Sequence, residues 1–362
     1  MSTTTAAPMA NSLASGRLPK GSTWGILLGS WAVFAAIFGF VNVAGGGEPG
    51  DFNIAGAIFL GTVLFVVALT VISWLVEGQR RAMDRMITAL VTTAFIIVLL
   101  PLASLVWNVV SEGIGRIDAE FFTFSMRNVV GDGGGAVHAI WGTLLITLGA
   151  TVISVPIGLL TSIYLVEYGR GNIAKAITFL VDVMTGIPSI VAGLFAFAVF
   201  SIFAGPGVRI GVMASVALSV LMIPVVVRSS EELLRLVPNE LREAAYALGV
   251  PKWLTILKVV IPTSIAGITT GIMLSIARVI GETAPLLLTA GFTASLNTNL
   301  FDGNMMTLPV FAYTQYANQG TNPDAALGRA WAAALTLIVI VMALNLLARL
   351  IAKIFAPKLG RR

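Results

Sequence analysis

The chain has 362 residues, 57% hydrophobic and only 11% charged, with a mean hydropathy of +0.93; soluble domains carry about 25% charged residues, so a soluble globular protein is excluded. The absence of cysteine excludes a disulfide framework, Cys-based zinc sites and thiol catalysis. The single histidine, His138, supplies no His-based metal cluster, and the net charge of +5 is spread over loops rather than gathered into a nucleic-acid footprint.

Several apolar runs match the hydrocarbon thickness of a bilayer. They are continuous rather than alternating, which favours helices over barrel strands. The predicted fold is an all-α polytopic membrane protein with about eight spans: 24–44, 54–76, 86–110, 138–166, 174–203, 209–227, 259–291 and 330–352. Residues 1–23, rich in Ser, Thr and Ala, read as a flexible tail. The first two spans form a hairpin over 24–76, packed through Gly25-x-x-x-Gly29. Residues 356–362 make a basic tail. The seventh span is long enough to be tilted, broken at Pro285 or partly outside the bilayer.

Charge sets the orientation. With the N-terminus inside, 17 of the 22 Lys and Arg fall on inner segments and five on outer ones, which places both termini in the cytoplasm. Two outer loops are long. Residues 111–137 contain Gly131-Asp132-Gly133-Gly134-Gly135, a flexible run, and residues 292–329 are rich in Asn, Thr and Gly. They read as solvated connectors or as a docking surface for an extracytoplasmic binding protein. His138, at the outer start of span four, reads as an interfacial or packing residue.

Between spans six and seven lies a charged segment that lipid cannot hold. A helix is predicted over about 238–250. Pro238 suits a first turn, and Glu240 and Glu243 sit at the positive helix end. Leu241, Ala244, Ala245 and Leu248 share a face. Gly249 suits a left-handed end and Pro251 prevents continuation; Trp253 marks membrane re-entry. By chemistry alone this is an amphipathic surface helix or a handle for a soluble partner. The run Glu243-Ala244-Ala245-Tyr246-Ala247-Leu248-Gly249, followed by Val259-Val260-Ile261-Pro262, resembles the EAA loop of bacterial ABC-transporter permeases. In that family the loop is the coupling helix that docks into the ATP-binding subunit, which would give Glu243, Ala244, Ala245 and Gly249 that role. No Gly-x-x-x-x-Gly-Lys-Ser/Thr motif occurs. The chain is therefore expected to bind no cofactor and to be no enzyme by itself, with ATP and Mg held by a partner ATPase.

Arg278 and Glu282 lie four apart inside span seven, a spacing at which helical side chains pair. Charges there are costly and functional by default, and the planar donors of Arg suit an oxyanion; a neutralised packing pair is the alternative. Asp182 sits inside span five just before Gly186-Ile187-Pro188-Ser189, pointing to a helix break near a pathway or to a structural polar clamp. Arg228, at the inner end of span six, meets a departing anion or snorkels to headgroups. Gly267-x-x-x-Gly271 in span seven predicts close helix packing.

Three segments sharpen the resemblance: Ile276 to Leu287, Thr185 to Leu194 and Val227 to Pro238. Over about residues 80–355 the chain is similar to phosphate-specific permeases of the PstA type. That resemblance implies a six-helix permease core and an import pathway for phosphate served by Arg228, Arg278 and Glu282. The implied partners are a homologous second permease subunit in a heterodimer, a dimeric ATP-binding subunit and an extracytoplasmic phosphate-binding protein, with membrane lipid and no nucleic acid. The implied location is the bacterial inner membrane, crossed several times. The first two spans lie outside the six-helix core. Another oxyanion is the alternative substrate within this reading. A secondary anion transporter or channel is the alternative from another class, and it leaves the charged segment without a purpose. An intramembrane enzyme lacks a nucleophile–base pair or metal set.

Overall fold

The apolar runs form helices, and their ends follow local chemistry. The computed structural model describes residues 18, 19, 21–45 and 52–355. Most of the expected tail over 1–23 and all of the basic tail over 356–362 lie outside the described residues. Among the described residues there is no strand, and seven helices are long and apolar enough to cross a membrane, or eight if one bent pair counts as a span. The chain divides into two compact units, Met1–Val106 and Trp107–Arg362.

In the first unit, α1 (Ser22–Ala44) packs on α2 (Ile54–Glu77). Asn53 caps α2 by accepting from the Gly56 N–H at 2.8 Å. The expected Gly25/Gly29 contact is not made: a Cβ at either would meet open space. Close approach occurs instead at Gly61, where a Cβ would lie 2.7 Å from the Trp31 indole, and Trp31 donates to Thr62 at 3.1 Å. A glycine pattern shows that approach is permitted, not which neighbour makes it. The turn into α3 (Gln79–Gly113) buries Glu77, which accepts from Ser73, Arg85 and the Leu18 backbone.

The second unit is built on α5 (Val137–Ile163) and α8 (Gly211–Arg235), following the short α4 (Ala119–Thr123). Their seam uses small residues: Ser215 donates to the Ile146 carbonyl at 3.0 Å, and a Cβ at Gly158 would meet Val226 at 2.6 Å. Between them, the expected span 174–203 is not one rod. α6 (Gly171–Thr185) and α7 (Ser189–Ala204) meet at 109°. Pro188 lacks an N–H and pushes Ile187 out of helical geometry, so the helix must stop.

The expected span 259–291 is also subdivided. After α9 (Asn239–Ala247), α10 (Lys252–Thr255) leads through a π turn, Ile256–Val260, into α11 (Ile261–Val279). Gly267 and Gly271 pack against Leu233 and Ser229 of α8, as their spacing predicts. Helix ends at Val279, and α12 (Ala284–Thr289) begins with Pro285 near its N-terminus. The break thus precedes Pro285, which sits in the first turn of α12, where its missing N–H costs nothing.

The long segment 292–329 is not a solvated connector. The Met305 N–H returns to the Ala290 carbonyl at 2.9 Å, and the Leu308 N–H donates to Thr143 Oγ1 at 2.7 Å. Met305, Met306 and Leu308 are buried with Ile146, Leu218 and Leu286 in the main core. α13 (Leu308–Ala317) then leads to α14 (Pro323–Phe355). His138 is buried, edge-on to Phe311 at 5.4 Å, which is the packing role expected of it.

The glycine run 131–135 is likewise held rather than loose. Buried Arg329 donates to the carbonyls of Gly131 and Gly133 at 2.9 and 3.0 Å, and Arg116 to that of Gly134 at 2.7 Å. Arg116 also pairs with Asp118, whose carboxyl is held below the usual range by the Phe121 N–H and that guanidinium. Positive φ at Gly131, Gly133 and Gly134 lets the loop turn its carbonyls toward these donors. Arg329→Ala removes the donor from three acceptors, the Gly131 and Gly133 carbonyls and Gln315 Oε1, at about 1–3 kcal/mol each when buried. The expected outcome is faster proteolysis within 131–135, read as cleavage half-life against wild type.

Candidate functional site

At the Lys/Arg-rich end of the second unit, α9 carries the charged segment. Pro238 is the N-cap rather than the first helical residue, with ψ 141, and the helix starts at Asn239. It ends in a Schellman motif: the Gly249 N–H bonds the Tyr246 carbonyl at 2.9 Å and the Val250 N–H bonds that of Ala245 at 3.1 Å. Gly249 has φ +74, which an L side chain rarely adopts. Of the expected face, Ala245 is buried, while Leu241, Ala244 and Leu248 are exposed, Leu248 by 84%. Glu243 is exposed beside them. Leu236 and Tyr246 add further exposed apolar surface. The helix therefore presents leucines, a small alanine and a free carboxylate outward from a membrane-type bundle, the profile of a surface made to be covered.

Arg242 fastens this helix to its base. Its guanidinium donates to the carbonyls of Leu234 at 3.0 Å and Val237 at 2.6 Å and, through Nε, to Glu167 Oε1 at 3.0 Å, with Nη2 in ion-pair contact with the same oxygen at 2.9 Å. Glu167 lies in a π turn, Tyr164–Tyr168, that ends α5, and its side chain is 4% exposed. Lys252 donates to the Glu167 carbonyl and sits 4.8 Å over the Tyr168 ring. Sequence reasoning missed Glu167, because its partner is 75 residues away.

The second cluster joins two residues singled out separately. Asp182 of α6 and Arg228 of α8 form an ion pair, and Arg228 also holds Glu231 at 2.8 Å, which in turn holds Arg235 at 2.8 Å. Glu231 was not a predicted site residue, although its i+3 and i−4 spacing to the two arginines on one helix carries the signal. Arg228 is thus engaged with carboxylates inside the chain. Pro188 and Ser189 form the corner just beyond: Pro188 is the N-cap of α7 and Ser189 its first residue.

Arg278 and Glu282 do not pair. Helix stops at Val279, so the regular spacing that would align them is lost; the Glu282 N–H caps the Val279 carbonyl at 3.1 Å. Among the described residues, no ion pair engages either side chain. Arg278 is exposed in the last turn of α11, where a cation is favoured by the helix dipole, and Glu282 is half-buried in the turn. This arrangement leaves a full set of guanidinium donors available on the chain surface beside an irregular backbone break. An unfilled Arg in such a place is suited to an anion.

Comparison with known proteins agrees with this architecture. A family profile described as "Binding-protein-dependent transport system inner membrane component" matches residues 154–361. The chain is 47% identical over 278 residues to the phosphate transport system permease protein PstA 1 of Mycobacterium tuberculosis (strain CDC 1551 / Oshkosh), covering 75% of this chain and 90% of that protein. It is 38% identical over 294 residues to PstA of Yersinia pestis, covering 78% and 93%. Its fold is similar to a chain in the crystal structure of a bacterial alginate ABC transporter in complex with a pentasaccharide-bound periplasmic protein. The TM-score is 0.55 at 14% identity, with 78% of this chain and 98% of that chain covered. On these matches, the chain belongs to the binding-protein-dependent transport system inner membrane components and, within them, to the PstA permeases.

Proposed function

We propose that this chain is the permease subunit of an ATP-driven phosphate importer. It supplies half of the pathway beside a homologous second permease, receives phosphate from an extracytoplasmic binding protein, and is driven by a dimeric ATPase that holds ATP and Mg and docks on α9. The chain itself catalyses nothing. It lies in the bacterial inner membrane with both termini cytoplasmic, so that α9 faces the compartment that contains ATP. The hairpin of α1 and α2 is an addition to the six-helix permease core. The observation that carries the reading is α9: a nine-residue helix with an exposed carboxylate and exposed leucines, braced by a buried ion pair. A secondary transporter or channel needs no such handle. The substrate rests on the PstA relatives and on the unpaired Arg278.

The test is reconstitution. Proteoliposomes holding the full assembly, binding protein outside and ATP inside, should accumulate phosphate and not sulfate; sulfate uptake without phosphate uptake would refute the substrate while leaving the ABC reading standing. Glu243→Arg reverses a charge on the exposed face of α9, where like-charge or desolvated mismatches cost several kcal/mol at an interface. It should abolish co-purification of the ATPase with the permease, and undiminished capture would refute docking at this helix.

A further inference from the structure

We infer that Glu167 is the positioning residue through which movement of α9 reaches the bundle; this rests on reading α9 as the ATPase handle. Force applied to α9 can travel along the chain or across side chains. Along the chain toward α11 it meets Gly249, with φ +74, and Pro251, which separate α9 from the continuous helix Lys252–Val279. Across side chains both ends of the segment converge on one residue. Arg242, within α9, holds the Glu167 carboxylate through a hydrogen bond and an ion pair, and Lys252, just after α9, holds its carbonyl. Arg242 also grips the Leu234 carbonyl of α8, the Val237 carbonyl just beyond that helix and Asn239 Oδ1. The helix is therefore bolted to the inner ends of α5 and α8 together.

Those two helices pass the displacement onward because they are packed at backbone distance. Ser154 and Ser215 bond across the seam, and Gly158 brings Val226 into contact. At the far end of α5, Thr143 Oγ1 accepts from the Leu308 N–H and so joins the helix to the outer insertion. The 24 residues between Thr143 and Glu167 span about 36 Å at helical rise. Glu167 thus sits at the inner end of a lever whose outer end holds the segment on which a binding protein would act. Its carboxylate is almost fully buried, and among the described residues the hydrogen bond and the ion pair that engage it both come from Arg242.

The assembled transporter with its binding protein provides the test, measuring ATPase capture, ATP hydrolysis and phosphate uptake on the same preparation. Glu167→Gln is expected to keep the ATPase bound and hydrolysing while phosphate moved per ATP falls about tenfold or more, since an uncompensated buried Arg242 lets the joint slip. Glu167→Asp, which keeps the charge, should recover part of the stoichiometry. A merely structural role would lower yield and all activities in proportion. Unchanged uptake per ATP overturns the inference. Loss of ATPase capture also overturns it, because Glu167 would then shape the docking surface rather than transmit its motion. If Glu167→Gln does not assemble, Arg242→Lys, which keeps the charge and one bond, must show the same loss of stoichiometry in an intact complex or the inference fails. Undiminished capture by Glu243→Arg is a different result: it removes the underlying reading of α9 itself.

Discussion

Arg278→Gln is expected to lower phosphate uptake by about 10- to 100-fold, with assembly and nucleotide binding intact, because a hydrogen bond to a charged group is worth about 1.5–3 kcal/mol. Gln keeps two amide donors and most of the length, but it loses the charge and the fork that grips two oxygens at once. Among the described residues no carboxylate pairs with Arg278, so the change breaks no internal ion pair and reports on the proposed contact with substrate. That is the distinction from Arg228, whose replacement would take from Asp182 its ion-pair partner and from Glu231 one of its two arginines. Radiolabelled phosphate uptake into proteoliposomes checks the prediction. Wild-type uptake by Arg278→Gln would mean that the side chain has no part in the path. Arg278→Lys should fall between the two, keeping the charge without the planar fork.

The second large effect is expected at Gly142, for a steric reason. On α5 the backbone of Gly142 lies directly against the Met306 carbonyl, with no room for a Cβ. One residue on, Thr143 holds the Leu308 N–H. A side chain at 142 must therefore push the 305–308 segment away, breaking that bond and exposing Met305, Leu308 and Phe311, all now buried in the main core. Overpacking costs about 1–3 kcal/mol for an extra methyl or two, and a unit of this size loses about 2–4 °C in Tm per kcal/mol. Gly142→Ala should lower the unfolding temperature by several degrees, and Gly142→Val further. Gly281→Ala, whose added methyl meets open space, serves as the control and should unfold like wild type. Thermal unfolding in detergent, followed by tryptophan fluorescence, separates these outcomes. Equal stability of all three variants would mean that the insertion is not seated against α5.

Much of this protein is local chemistry and hence legible in order along the chain. Long apolar runs specify membrane helices because backbone groups in lipid have no partner but each other. Glu243 to Pro251 specify a short helix with a left-handed end because charge placement, Gly249 and Pro251 act within one or two turns. Gly267 and Gly271 announced a close helix contact, and it is there.

What the sequence could not reveal is set by partners far apart in the chain or by the exact point where a helix stops. Arg278 and Glu282 read as a pair only if helix continues through Gly281; it ends at Val279, and the pair dissolves. Asp182 and Arg228 are 46 residues apart, and Arg242 and Glu167 are 75 apart, so only tertiary packing, of α6 on α8 and of the turn ending α5 near α9, brings each carboxylate to its arginine. The segment 292–329 reads as polar loop by composition, yet Met305, Met306 and Leu308 are core. Its fate was decided by a glycine on a different helix. Sequence alone determined that this is a helical membrane protein with a short charged helix between two spans, because solvation and propensity act residue by residue. The tertiary structure alone decided which charges are spent on each other and which are not, because ion pairing depends on distances that packing sets.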